Sequence, residues 1–129
     1  MEASQALAEL RELSAQIASA VVLGADGTVL ASTSDDAGAT ERLAASAREL
    51  IGAAAELGAA DQEVTRVEVE LAEGALFVIS EGRGTIAATT GPEPTSGLVV
   101  YDLRTCLRSI DEPAPKRRRS TRKPKEDAE

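Results

Sequence analysis

Two short runs set the strongest limit on what this chain can become. Ala20, Val21, Val22 and Leu23 are apolar at every position, and so are Leu76, Phe77, Val78 and Ile79. Side chains along a strand alternate between its two faces, so a run without a polar member reads as a strand covered on both. These two segments are therefore expected to be interior strands. The stretch 64–71 contrasts with them. It puts Val67, Val69 and Leu71 on one parity and Arg66, Glu68 and Glu70 on the other, which reads as a half-exposed strand at a sheet edge.

Three segments carry a helical period. In the first, Leu7, Leu10, Leu13 and Ile17 recur at spacings of three, three and four around Glu9, Arg11 and Glu12, with Ser4 as candidate N-cap. The second, about 40–57, is rich in Ala. Leu43, Ala47, Leu50, Ala54 and Leu57 form its apolar stripe, Ala44, Ile51 and Ala55 widen that stripe, and Arg42, Glu49 and Glu56 lie opposite. The arc is wider than one sheet contact needs. Gly52 in its middle costs about 1 kcal/mol against Ala; it either permits close approach of another backbone or is drift in an Ala-rich helix. The third, 96–110, repeats Val99, Leu103, Cys106, Leu107 and Ile110.

Turn chemistry links these pieces. Ala25-Asp26-Gly27-Thr28 reads as a two-residue Asp-Gly hairpin turn into a strand at 29–33. Glu73-Gly74 and Glu81-Gly82-Arg83-Gly84 turn the chain around the central run, a strand follows at 85–90, and Gly91-Pro92-Glu93-Pro94 breaks it. The order is helix, hairpin, helix, three-stranded meander, helix.

Composition narrows the chemistry. There is no His and a single Cys, which excludes a His-dependent triad, a histidine metal site and a disulfide framework. Asp35-Asp36, two loop carboxylates before a helix, read as caps rather than metal ligands. Glu68 and Glu70 read as an exposed strand face, and Cys106 on the last apolar stripe as an inert core thiol. No GxxxxGK[ST] loop is present. Neither a catalytic site, a metal nor a cofactor is expected. No apolar run approaches the roughly 18–20 residues of a membrane helix, and the opening Met1-Glu2-Ala3-Ser4-Gln5 lacks a signal-peptide pattern, so a cytoplasmic location is expected.

Charge divides the chain in two. From Lys116 on there are seven basic residues, Lys116, Arg117, Arg118, Arg119, Arg122, Lys123 and Lys125, against three acidic ones, a net of +4. The rest holds seven basic and 19 acidic residues, a net of −12. The composition predicts a folded domain over 1–111 and a disordered basic tail over 112–129. The tail could contact an acidic partner or an anionic surface, but no aromatic residue interleaves with its charges to stack on bases, so specific nucleic-acid binding is not expected. Ser120-Thr121 after three arginines is either a phosphorylation site or a chance pair.

The first hairpin (Ala20-Val21-Val22-Leu23-Gly24-Ala25-Asp26-Gly27-Thr28-Val29-Leu30-Ala31), the Ala-rich second helix, the hairpin Glu73-Gly74-Ala75-Leu76-Phe77-Val78-Ile79 and the segment Gly97-Leu98-Val99-Val100-Tyr101-Asp102-Leu103 opening the last helix together resemble the roadblock/dynein light chain family over about 5–110, in its bacterial form. The resemblance implies an α/β layout of the α+β type, roadblock/profilin-like. A five-stranded antiparallel sheet runs in order 2-1-5-4-3, with the middle helix on one face and the two terminal helices on the other. It also implies a homodimer in which the edge strands pair and the middle helices lie side by side. Interface residues would be Ala44, Arg48, Ile51, Gly52 and Ala55 of the helix and Arg66, Val67, Glu68, Val69 and Glu70 of the strand. The implied function is a non-enzymatic module that regulates or localises a small Ras-like GTPase; the alternative is a scaffold or adaptor in a signalling or polarity assembly. Arg11, Arg42, Arg48, Arg83 and Arg104 are candidate partner contacts, none of them distinguished as an arginine finger.

Overall fold

The computed structural model describes residues 1–58, 63–82 and 84–110. The elements in chain order are α1 (Ala3–Leu13), β1 (Ile17–Leu23), β2 (Val29–Ser32), α2 (Ala37–Ala55), β3 (Arg66–Leu71), β4 (Gly74–Glu81), β5 (Gly84–Thr90) and α3 (Ser96–Ser109). The strands form one antiparallel sheet in the order β2-β1-β5-β4-β3, as the resemblance implies.

The two fully apolar runs lie in β1 and β4, inside the sheet, and their side chains divide between two cores. Val22, Phe77, Ile79 and Ile86 pack with Leu7 and Leu10 of α1 and Val99 and Leu103 of α3. Val21, Leu23, Val78 and Ala87 pack with Ala44 and Ala47 of α2 on the other face. Phe77, Leu7, Leu10, Ile79, Ile86 and Leu103 are the largest fully buried side chains. All belong to the first core, and each contributes about 1.5–3 kcal/mol by leaving water. Apart from Leu23, the buried residues of the α2 layer are small or β-branched.

Several boundaries differ from the sequence reading. Ser14 takes an extended conformation while its N–H closes α1 on Leu10 O. Ile17 therefore opens β1 opposite Thr90 instead of continuing the helix, and Leu13, read as core, is 75% exposed. The N-cap of α1 is Glu2, not Ser4, and makes no side-chain cap bond. α2 starts three residues earlier than its apolar period suggests, because the Asp36 carboxylate accepts from the N–H groups of Gly38 (2.9 Å) and Ala39 (3.3 Å). It stops at Ala55, leaving Leu57 88% exposed rather than on the stripe.

The first hairpin has a three-residue loop in place of two. Gly24 N–H bonds Thr28 O, Gly27 N–H bonds Gly24 O, and Gly27 alone takes a positive φ of 85°, the pattern of a turn followed by a left-handed residue. The Thr28 N–H also donates to Asp26 Oδ1 at 3.0 Å, which holds that carboxyl below its usual range. Gly74 is the first residue of β4, paired with Leu71, and not a turn residue. Its glycine has a packing reason: a Cβ there would collide with the carbonyl oxygen of Thr90 on β5.

Gly74→Ala is therefore expected to cost about 1–3 kcal/mol by overpacking. A Cβ at Gly91 meets no atom within 4 Å, so Gly91→Ala should stay within about 0.5 kcal/mol. Thermal unfolding of the two variants checks this; equal melting temperatures would mean the β4–β5 junction yields freely.

Candidate interaction surface

The described side chains that bear chemistry are mostly occupied with structure. Asp36 caps α2. Cys106 is buried in the first core, and burial, with the nearby Glu9 carboxylate, pushes its thiol up to about 11. No group of three or more His, Cys, Asp or Glu among the described residues is placed to hold a metal. Arg48 donates through Nε to Gly27 O and through Nη1 to Glu41, each at 2.9 Å, pinning the first hairpin to α2. Arg104 and Arg108 both reach Glu81 of β4, at 3.9 and 2.6 Å. Arg83 and the basic residues Lys116, Arg117, Arg118, Arg119, Arg122, Lys123 and Lys125 lie outside the described residues.

What remains is surface. β2 and β3 form the two edges of the sheet. β2 is four residues long, and its register with β1 shifts at Val22/Leu23. β3 is six residues long and pairs with β4 without interruption from Arg66↔Ile79 to Leu71↔Gly74. Its outer side offers a regular row of backbone donors and acceptors, with no Pro or bulge to blunt it.

The two parities of β3 serve different faces. Val67, opposite Val78, packs into the α2 core, and Val69 lies opposite Leu76 on the same side. Arg66, Glu68 and Glu70 project on the other face. Arg66 Nε stands 3.6 Å from Glu68 Oε1, a solvent-exposed pair of small energetic worth. Glu68 and Glu70 line a cleft of about 590 Å³ with Phe77, Pro92, Glu93 and Pro94. Glu93 there has a positive φ of 56°, alone among the described non-glycine residues.

The α2 residues named from sequence separate by burial. Ala44 is fully buried against the sheet, which leaves it no exposed area to bring to an interface. Its methyl group is small enough to let the helix sit directly on Val21 and Ala87. Ile51 is half-buried and packs on the same core. Gly52 and Ala55 are exposed, and a Cβ at Gly52 would meet no atom within 4 Å. The surface near β3 thus combines an open strand edge with a helix flank of very small residues.

Sequence reasoning missed one surface. Leu13, Leu98 and Tyr101 line a groove between α1 and α3. Leu98 and Tyr101 stand three apart, off the Val99–Leu103–Cys106 stripe, and that offset was the available signal.

Comparison with known proteins places this geometry. The family model for the Roadblock/LC7 domain matches residues 4–90. A crystal structure of a Roadblock/LC7 domain from Streptomyces avermitilis superposes with a TM-score of 0.73 at 24% identity, covering 84% of this chain and 94% of that one. The gliding protein MglB from Thermus thermophilus gives 0.68 at 15% identity, covering 84% of each chain. A structure described as MglB with tetrameric arrangement gives 0.59 at 15%, covering 82% of this chain and 85% of that one. These likenesses show the fold. No curated protein matches the sequence.

A thiol held near 11 is almost wholly protonated at pH 8. Cys106 in the native protein should therefore react with iodoacetamide at least ~100-fold more slowly than free cysteine, and at the free rate after denaturation. Native reaction at the free rate would show that the last helix opens readily.

Proposed function

This chain belongs to the Roadblock/LC7 family, and from that membership we propose that it is a homodimeric, non-enzymatic interaction module that binds a small Ras-like GTPase and regulates or localises it. The family is an interaction-module fold without enzymatic activity of its own. The observation that carries the reading is the uninterrupted open edge of β3 beside the exposed Gly52 and Ala55 of α2. An edge of this kind is completed by a second strand, and a two-fold axis supplies an identical one.

Charge along β3 restricts how two such edges meet. An antiparallel pairing centred on Val67 sets each Arg66 opposite a Glu68 of the other copy. One centred on Val69 sets Glu68 opposite Glu70 twice. Opposite charges directly across a pair contribute roughly 0.2–1 kcal/mol and like charges cost a similar amount, so the charges favour a centre near Val67. The expected interface is then Arg48, Ile51, Gly52 and Ala55 with Arg66, Val67, Glu68, Val69 and Glu70. The side chains of Arg48 and Ile51 form its inner margin, since both are already engaged within the chain.

The scaffold reading rests on the arginines. Arg48 and Arg104 hold internal partners, so neither is poised to enter a partner's nucleotide site. A module that positions a GTPase without accelerating hydrolysis is consistent with that. Among the described residues no helix is long and apolar enough to cross a membrane; a cytoplasmic location belongs to the proposal.

Two measurements test the proposal. Light scattering at micromolar concentration should give a dimer for the native chain. Ala55→Arg should give a folded monomer, because the exposed site tolerates the charge until a second helix covers it; Arg66→Glu should weaken the dimer more modestly. A monomeric native chain would overturn the two-fold arrangement. Titration with a small Ras-like GTPase in its GDP and GTP-analogue forms should then show unequal affinities, since only differential binding shifts such a switch. Equal binding would favour the scaffold, and absence of binding would remove the GTPase as partner.

A further inference from the structure

α1 and α3 run antiparallel across the sheet. Thr95 N–H donates to Gln16 Oε1 at 2.6 Å at one end, and Ser109 Oγ stands 4.0 Å from Met1 Sδ at the other. The groove between them holds about 400 Å³ and is lined by Leu13, Leu98 and Tyr101, with the carboxylates of Glu9 and Asp102 on its two walls. The three apolar side chains are 75%, 50% and 67% exposed. The cations of α3 do not neutralise the groove, because Arg104 and Arg108 are drawn to Glu81 on β4, and Arg11 of α1 is not among its lining residues.

An apolar floor between two carboxylates suits a cationic occupant with long aliphatic stems. A second copy presented groove to groove would bring four carboxylates together and is disfavoured. The chain carries its own suitable segment. Seven Lys and Arg fall between Lys116 and Lys125, and Ile110, packed on the first core with Met1, places the exit of α3 at the Met1 end of this groove. From Leu98 to Ser109 the groove runs about 17 Å at 1.5 Å per helical residue. The six steps from Ile110 to Lys116 span up to about 20 Å extended, so the basic residues can fold back over its whole length. Tethering holds them at roughly millimolar effective concentration. Arginine guanidinium groups stack on a tyrosine face while their methylene stems cover leucine.

We propose that the basic segment 116–125 docks in cis over the groove between α1 and α3, with its cations between Glu9 and Asp102 and over Tyr101, so that the chain caps its own exposed apolar face. The cap is electrostatic and therefore salt-releasable, and a partner with a better apolar fit displaces it. This is independent of the GTPase reading, which concerns the β3–α2 side.

The test uses the full chain with ¹⁵N label, carrying Cys106→Ala and a nitroxide on Ser120→Cys. At about 0.01 M ionic strength the amide signals of Glu9, Leu13, Leu98, Tyr101 and Asp102 should lose about half their intensity or more. They should recover near 1 M, where the Debye length falls from about 30 Å to about 3 Å. Glu9→Lys with Asp102→Lys should abolish the loss at low salt. In the unmodified full chain, a second readout free of any effect of the label or of Cys106→Ala, the same amides should shift with salt. Absence of broadening at low salt overturns the proposal, and so does broadening centred on the Glu68, Glu70 and Glu93 cleft. Broadening seen only when ¹⁵N chains are mixed with spin-labelled unenriched chains places the segment on another copy and overturns the intrachain cap.

Discussion

The architecture depends on the three inner strands having no face to give to water. β1, β5 and β4 send Val22, Ile86 and Ile79 to one side and Val21, Ala87 and Val78 to the other, and all six are buried to within 1% of completeness. A one-residue slip would exchange these sets. It would put Phe77 and Ile86 under α2, where Ala44 and Ala47 approach too closely to admit them. The unequal thickness of the two layers thus fixes register as firmly as the hydrogen bonds do. α2 covers its side with Ala44 and Ala47 and the partly buried Leu43, Leu50 and Ile51, and its remaining circumference is left outward.

That same economy decides what could be read from the sequence. β1 and β4 were legible as inner strands because both parities are apolar, and β3 was legible because its parities differ; β5, with Thr85, Thr89 and Thr90, was placed inside only by the resemblance. Helix ends were less so. Ile17 stands four residues after Leu13, in phase with the helix, and a register shift between Ile17 and Ser19 puts it in the first core with Ala20 and Val22 and not on the Val21 face, so period alone cannot assign it. The deciding event is local: the Ser14 N–H bonds Leu10 O while its own backbone turns extended. Asp36 was recognisable as a cap. The three residues it adds before Thr40 carry no large apolar side chain, so the helical period had nothing to mark there. Gly74 looked like a turn because Glu73-Gly74 is good turn chemistry, and its actual constraint comes from Thr90, sixteen positions away in sequence.

The candidate surface shows the same division. Alternation along Arg66–Leu71 gave both the edge and the polarity of its faces. Of the α2 residues that the resemblance puts at an interface, Gly52 and Ala55 are exposed and Ala44 is buried. In an alanine-rich helix the side chains bury so little area that hydropathy carries almost no directional information. Arg48 was indistinguishable from any surface arginine, since one partner, Glu41, lies seven residues away on the same helix and the other is the Gly27 carbonyl in the first hairpin. Leu98 and Tyr101 were visible as an apolar pair outside the main stripe, but only the antiparallel packing of α1 brings Leu13 beside them.

Charge links the two surfaces. A body of −12 meeting a second body of −12 is repelled over the roughly 8 Å Debye length of physiological salt. In the proposed dimer the contacts that would oppose this repulsion are short-ranged, consisting of strand-edge hydrogen bonds and the approach of α2 flanks at Gly52 and Ala55. The segment 116–129 carries +4 on the same chain. Held against the α1–α3 face, it lowers the field of the body to the chain's net −8 and weakens the repulsion that two copies feel. Extended into solvent, it leaves the acidic face bare and removes its counter-charge from the body. The proposed docking of the tail and the proposed pairing of β3 edges would therefore favour each other without sharing a residue. Any macromolecule that draws the basic segment away would loosen self-association as it binds, by an amount that falls as salt rises.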